Sequence, residues 1–254
     1  MREMCNKRFE GKVVVVTGGG SGMGRAACKK FAEEGAKVAV VDIDIKRAEK
    51  TKEEIKTEGG EAIAIKCDIS TAMDVKKMVE QVLNNYGKID ILVNCVGILG
   101  QVGPVWEMSE ENWDRVMSVN LKGMFLVCKE VIPHMIQRKK GKIINISSVA
   151  GKDPNPNMAA YDASKAGVIA FTRALALEVA HYNINVNCVV PGITETPFLG
   201  QMSEEEKKRL ASKVPLRRLA KPKEIAEVIL FLASEKASFV TGAAWNVTGG
   251  RCPY

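Results

Sequence analysis

Histidine is close to absent from this chain: His134 and His181 are the only two in 254 residues. A Ser-His-Asp hydrolase or a histidine-rich metal site is therefore a poor fit, and both histidines read as helix-surface positions. The seven cysteines (Cys5, Cys28, Cys67, Cys95, Cys128, Cys188 and Cys252) contain no Cys-x-x-Cys pair. That excludes a zinc site built from cysteine pairs, and no bound metal is expected. Scattered among apolar neighbours, the cysteines read as reduced thiols of a cytoplasmic protein, not as a disulfide frame. No apolar run reaches the ~18 residues of a membrane-spanning helix. Residues 1–12 are charged and lack the apolar stretch of a signal peptide. A Gly-Lys-Ser/Thr triplet is missing throughout, which rules out a P-loop. So is any Pro/Gly/Ser linker, internal repeat or low-complexity segment, so the chain reads as a single domain.

What is present is ordinary globular chemistry. A hydrophobic share of 46% with 26% charged residues excludes a disordered chain. The net charge of +7 raises the question of an anionic partner. No basic patch interleaved with aromatics is visible, so neither nucleic acid nor a membrane surface is an expected partner. Short Val/Ile-rich runs recur at 13–16, 38–41, 62–65, 89–93, 143–146 and 186–190, with a last strand near 243–247. Apolar runs without regular polar alternation suggest strands buried on both faces. Amphipathic stretches of helical length lie between them, at 22–34, 45–58, 71–86, 118–138, 159–181 and 222–234. The alternation predicts an α/β fold: a doubly wound, Rossmann-type parallel sheet with helices on both faces. Residues 194–223 break the rhythm with a polar, charged excursion after the sixth strand, placed where a substrate lid would sit. The stretches 118–138 and 159–181 are apolar on most sides, as subunit contact or a thick core would require.

Directly after the first strand runs Thr17-Gly18-Gly19-Gly20-Ser21-Gly22-Met23-Gly24, which opens a helix. The spacing is not Gly-x-Gly-x-x-Gly, but the physics is shared. Glycines permit a tight turn, and the free amides of a helix N-terminus favour a pyrophosphate. Asp42 ends the second strand, where a carboxylate accepts both ribose hydroxyls of adenosine and repels a 2′-phosphate. This argues for NAD over NADP, Lys46 and Arg47 lying one helical turn on. Asp42 also reads as an N-cap for the following helix, a compatible role. Tyr161 and Lys165, four apart, share one helix face. Ser148 lies 13 residues before Tyr161, just past the fifth strand, and Asn120 opens the preceding long helix.

With these residues in hand the chain resembles the short-chain dehydrogenase/reductase family over essentially its full length. The resemblance rests on Thr17-Gly18…Gly22…Gly24, Asp68-Ile69, Asn94-x-x-Gly97, Asn120, Ser147-Ser148, Tyr161-x-x-x-Lys165 and Pro191-Gly192 with Thr196. It implies that Asn120, Ser148, Tyr161 and Lys165 are catalytic. It implies cofactor contacts from Gly18, Ser21, Gly22, Met23 and Gly24, from Asp42 and Ile43, and from Cys67, Asp68 and Ile69 by the adenine. Asn94 and Gly97 would line the groove further on, Tyr161 and Lys165 the nicotinamide ribose, and Pro191, Gly192, Ile193 and Thr196 the nicotinamide. Ser147 is expected to be a structural neighbour. Two departures stand out: Asn94-Cys95-Val96-Gly97 where the family has Asn-Asn-Ala-Gly, and Val247-Thr248-Gly249-Gly250 where it has Val-Asp-Gly-Gly. The first alters packing near the adenosine, and the second removes a carboxylate from a region of subunit contact.

The chemistry can also be argued directly. Oxidising a secondary alcohol to a ketone needs a base for the hydroxyl proton and an acceptor for the hydride. A phenol ionising near ~10 is a poor base at neutral pH. The Lys165 ammonium and an oxidised nicotinamide are therefore expected to lower the Tyr161 pKa. Ser148 would hold the substrate oxygen, and Asn120 a water linking Lys165 to solvent. Ile98, Leu99, Val102, Met158, Phe198, Leu199 and Met202 offer an apolar substrate wall. Lys152, Arg217, Arg218 and Arg251 would either meet an anionic substrate or face water, and Asn155 and Asn157 offer hydrogen bonds or loop chemistry. The leading expectation is an NAD(H)-dependent oxidoreductase of secondary alcohols and ketones, assembled as a homotetramer or homodimer. The alternatives are an NADPH-dependent 3-oxoacyl thioester reductase and a catalytically silent dinucleotide-binding sensor.

Overall fold

Alternate residues of the first two apolar runs serve two different cores, which is why these runs have no polar face. Val13 and Val15 of β1 (Val13–Thr17) pack on one side, Val14 and Val16 on the other. Ala39 and Val41 are divided from Val38 and Val40 in the same way in β2 (Lys37–Asp42). Each fully buried Val contributes roughly 1.5–3 kcal/mol relative to exposure. The computed structural model describes residues 7–200 and 202–252, apart from the Phe198 side chain. Cys5 and that side chain lie outside the described residues.

The remaining strands are β3 (Glu61–Lys66), β4 (Ile91–Asn94), β5 (Gly141–Ile146), β6 (Ile184–Pro191) and β7 (Ala244–Val247). All pair in parallel in the order β3-β2-β1-β4-β5-β6-β7. The order reverses between β1 and β4, and the crevice at their carboxyl ends is where ligands bind in such sheets. Helices α1 (Gly22–Glu33), α2 (Ile45–Thr57) and α8 (Pro222–Ala233) cover one face. The other carries α3 (Ala72–Tyr86), α5 (Gly123–Arg138) and α6 (Ala159–Val179). The predicted doubly wound sheet is thus the observed one. Among the described residues no helix is long and apolar enough to cross a membrane.

The long helix expected at 118–138 begins earlier. The Ser109 hydroxyl accepts the Asn112 N–H at 3.2 Å and Glu110 and Glu111 favour the first turn, starting α4 (Glu110–Met117). A π-helical segment, Ser118–Lys122, joins α4 to α5. Asn120 therefore sits within a widened turn in mid-helix, not at a helix start, and such turns recur at functional sites. The excursion after β6 contains α7 (Glu204–Ser212), held by a Ser203–Glu206 capping box. Its neck is closed by main-chain bonds from Glu195 to Ala220 and from Ala220 to Ile193, each 2.9 Å.

At the opposite, amino edge of the sheet, Asp90 is buried beneath three donors. They are the Val13 N–H at 2.9 Å, Arg138 Nη2 at 2.6 Å and Lys88 Nζ at 3.1 Å. Burial pushes its pKa up, but the Arg138, Val13 and Lys88 hydrogen bonds prevail and hold it below the usual carboxylate value. Asp90→Ala is expected to cost about 2–3 kcal/mol in urea unfolding at neutral pH. A depressed carboxylate stabilises the fold above its unfolded pKa and ceases to as pH falls through the folded one. The gap between wild type and variant should therefore close below about pH 4.

Candidate active site

The glycine turn is built by close approach. A Cβ on Gly24 would strike the Gly18 carbonyl, and one on Gly20 would stand 2.7 Å from Asp42 Oδ2 and 2.6 Å from the Arg47 Cβ. The turn thus seats α1 directly on β1 and β2. Ser21, the N-cap of α1, caps no amide with its side chain, and the first turn holds no acid. By contrast, α2, α4 and α7 are capped by Asp44, Ser109 and Ser203. An N-terminus left open and unneutralised at a glycine turn fits a pyrophosphate. The facing wall is Thr196, whose Cγ2 lies 3.2 Å from where a Gly22 Cβ would be. Pro191 ends β6, and Gly192 and Ile193 lead from it to Thr196. Met23 packs against the α1–α8 core, and Ile43, directly after β2, is 61% exposed.

Asp42 braces the turn. Its Oδ2 accepts the Gly20 N–H and its Oδ1 the Asp44 N–H, each at 3.0 Å. The N-cap of α2 is Asp44, not Asp42: Asp44 Oδ1 accepts the Lys46 N–H at 2.9 Å. Two carboxylate oxygens still have lone pairs for ribose hydroxyls. Arg47, placed a helical turn away by sequence, lies against Gly20, its guanidinium 3.2 Å from Asp44.

Two expected cofactor contacts turn inward. The Asn94 amide donates to Asn145 Oδ1 at 2.9 Å within the core, and Asn145 continues to Thr172 Oγ1 at 3.0 Å. A buried amide must spend its donors this way, so its side chain does not line the groove. Cys67 is likewise packed among core residues, its main-chain N–H bonded to Asp42 O at 3.0 Å. Asp68 accepts the Ser70 N–H and hydroxyl at 3.0 and 2.7 Å, and Ile69 packs on Gly123.

At the carboxyl edge of β5 and the start of α6, Ser148, Tyr161 and Lys165 converge. Ser148 and Tyr161 share a side-chain hydrogen bond. Lys165 Nζ donates to Ile146 O at 3.0 Å and lies 5.8 Å from the centroid of the Tyr161 ring. Gly97 stands close by, with Lys165 Nζ 3.1 Å from its Cβ position. Ser147 is structural as expected, its hydroxyl donating to Lys165 O at 2.7 Å. Burial draws Lys165 down to about 8. The expected lowering of Tyr161 is not what the chain's own groups produce. Burial pushes the phenol up, the Ser148 hydrogen bond draws it back, and Asp162 pushes it up further, leaving it raised. The Asn120 amide donors are both used: Nδ2 reaches Ile98 O at 2.9 Å and Ser164 Oγ at 3.0 Å, while Oδ1 accepts the Ile98 N–H at 2.8 Å.

The cations of the substrate side are largely engaged within the chain. Lys152 reaches Asn246 Oδ1 at 2.8 Å on β7, and Arg217 donates to Ser212 O at 2.7 Å. Arg218 clasps both Glu224 oxygens at 2.7 Å, and Arg251 meets Asp153 at 3.2 Å and Asn155 at 2.9 Å. Asn155 is held by Asp162 and Arg251, and Asn157 adopts φ 69°. Asp162 and Asn112 escaped the sequence reading. Each is a buried side chain that anchors a substrate-side loop, Asn112 by accepting the Gln101 N–H at 2.8 Å. The only sequence signal was a carboxylate directly after Tyr161.

The sequence pattern of the short chain dehydrogenases matches residues 12–207. The chain is 43% identical over 243 residues to the 3-oxoacyl-[acyl-carrier-protein] reductase of Thermotoga maritima, covering 96% of this chain and 98% of that one. Among solved structures it is similar to the Brucella melitensis 3-ketoacyl-(acyl-carrier-protein) reductase complexed with NADH, with a TM-score of 0.90 and 39% identity. That match covers 96% of this chain and 99% of the other. NAD+-bound xylitol dehydrogenase matches with a TM-score of 0.91 and 35% identity, over 96% of this chain and 100% of the other. Sequence motifs, sheet order and site geometry agree with these likenesses: the chain belongs to the short-chain dehydrogenase family, and is an oxidoreductase of that family.

Proposed function

We propose that the protein is an NAD(H)-dependent oxidoreductase that interconverts a secondary alcohol and a ketone, with Tyr161 as general base and acid. The observation that carries this reading is the convergence of Ser148, Tyr161 and Lys165 at the sheet edge beside the uncapped glycine turn. When bound, the nicotinamide supplies hydride exchange with the reacting carbon and, in its oxidised form, a positive charge. The protein handles the proton. Ser148 donates to the substrate oxygen and fixes it beside the Tyr161 hydroxyl. Tyr161 takes the alcohol proton in oxidation and returns it in reduction. Lys165, ionised below about pH 8, favours the phenolate and offers its ammonium to the ribose of the cofactor. The excursion at 194–223 acts as substrate lid, beginning beside Thr196. The exposed Phe125 of α5 and Leu177 of α6 support self-association as a dimer or tetramer. Six free cysteines among the described residues fit a reducing, cytoplasmic setting.

NAD is favoured because the Asp42 carboxylate occupies the position a 2′-phosphate would approach. A second reading, an NADPH-dependent 3-oxoacyl thioester reductase, is supported by Arg47 against Gly20 and by the reductase of Thermotoga maritima. Initial rates followed by reduced-nicotinamide absorbance separate them, using secondary alcohols, ketones, carboxylated analogues and a 3-oxoacyl thioester with each cofactor. Turnover of a simple alcohol or ketone should be better with NAD(H) by at least about tenfold, the effect of one unfavourable like-charge contact. A preference for NADPH with the thioester would replace the first reading by the second. Binding of a dinucleotide without turnover of any substrate would leave the sensor.

A further inference from the structure

Asp162 directly follows the candidate base, and its carboxylate lies where a substrate-side loop meets the catalytic helix. The side chain is only 7% exposed. Its Oδ2 accepts the Asn155 main-chain N–H at 2.8 Å, while Oδ1 is buried with no hydrogen-bond partner among the described residues. Asn155 Oδ1 accepts from Arg251 Nη2 at 2.9 Å, and Arg251 Nε meets Asp153 Oδ2 at 3.2 Å. From the far side, the Gly103 N–H donates to Asn157 O at 3.0 Å. Loop 152–157 is thereby fastened to α6, to the C-terminal segment and to the loop that follows β4.

A buried carboxylate with one oxygen unsatisfied is costly, and a neutral acceptor would serve the Asn155 N–H as well. The charge therefore calls for its own account. The charged and titratable groups facing it are Arg251, which favours its ionised form, Asp153, which opposes it, and Tyr161. Burial is the largest influence and leaves Asp162 above the ordinary carboxylate value. Its charge in turn opposes ionisation of the Tyr161 phenol.

We propose that Asp162 is a positioning residue: with Asn155 and Arg251 it clasps loop 152–157 onto the catalytic helix, and it sets a negative charge beside Tyr161. One side chain then couples the seating of the substrate wall to the strength of the base. The second half rests on the reading of Tyr161 as base; the first does not.

Three variants separate these parts. Asp162→Asn keeps an acceptor for the Asn155 N–H and removes the charge. Asp162→Ala removes both, and Arg251→Met releases Asp153 and Asn155 from the C-terminal segment. Amide hydrogen exchange across 153–157 should quicken about tenfold or more in Asp162→Ala and Arg251→Met, and stay near wild type in Asp162→Asn. Ultraviolet titration of the tyrosines, with Tyr161→Phe as blank, should show Tyr161 ionising at lower pH in Asp162→Asn than in wild type. On an accepted alcohol, the rising limb of kcat/KM should move to lower pH in the same variant. KM should increase about tenfold in Asp162→Ala and Arg251→Met, with a smaller change in kcat. Unchanged exchange in both loop-releasing variants would overturn the clasp. An unmoved Tyr161 titration in Asp162→Asn would overturn the electrostatic half. Exchange and titration need no substrate, so a wild type inactive on every alcohol would defeat the proposed reaction while exchange still decides the clasp and titration the charge beside Tyr161. Should Asp162→Ala fail to fold, Arg251→Met and Asp162→Asn carry the two halves.

Discussion

Tyr161→Phe is expected to lower turnover by about 1000-fold while leaving dinucleotide affinity within a few-fold of wild type. The substitution removes one oxygen from a side chain that is 9% exposed and keeps the ring, so the fold should survive it. Ser148 loses its hydrogen-bond partner at the phenol, but Lys165 keeps its bond to Ile146 O. The glycine turn and Asp42 are untouched, so the loss should fall on kcat. Steady-state kinetics together with a fluorescence titration of the cofactor check both parts. Retention of more than about a tenth of wild-type turnover would place the proton-transfer group elsewhere, since acid–base groups usually contribute at least 100-fold. Neither histidine is a ready substitute: His134 lies toward the C-terminal end of α5, and His181 lies just past the other end of α6, its ring tilted against Tyr182 with centroids 3.8 Å apart.

Lys165→Met should reduce turnover by about 100- to 1000-fold and, unusually, stabilise the cofactor-free protein. The lysine is 3% exposed and its pKa falls from 10.5 to about 8. The fold thus disfavours the ammonium, with a penalty of order 3 kcal/mol at pH 7. Methionine has a similar shape without the charge. It leaves Ile146 O without its donor, which returns about 1–2 kcal/mol of the gain. A net stabilisation of about 1–2 kcal/mol is expected at pH 7 in urea unfolding. The sign with pH follows from the lowered value. The penalty is complete below the folded pKa, fades as pH rises through about 8, and is gone above 10.5. The advantage of the variant should shrink accordingly in alkali. A variant less stable than wild type at pH 7 would show that the Ile146 bond outweighs desolvation. A stable, inactive one would identify Lys165 as a residue kept for function at a cost to the fold.

Both expectations depend on residues that the chain displays openly. Tyr161, Lys165 and Ser148 were recognisable because their spacing survives folding: four residues is one helical turn, and Ser148 follows a strand whose end lies at the ligand edge. The central strands were legible for a similar reason, since Val/Ile-rich runs without regular polar alternation have no stable place except between two layers. The start of the α4–α5 helix was missed because a polar first turn, Glu110-Glu111 behind a Ser cap, carries no apolar period. The Asn94 amide could not be assigned from sequence, because its partner Asn145 is 51 positions away and is brought beside it only by β4–β5 pairing.

By itself, then, the sequence determined the order of elements, the glycine turn, the Tyr161–Lys165 spacing and the family, all of which are local periodicities or short motifs. Tertiary structure decided what those residues experience. It made Asp44 rather than Asp42 the helix cap, brought Arg47 against Gly20, and spent Lys152, Arg218 and Arg251 on partners within the chain. It also gave Tyr161 a burial that, without a cofactor, pushes its pKa up, and the reason is general. A pKa answers to desolvation and to charges within a few ångströms, and burial is a property of the packed molecule that no spacing along the chain encodes.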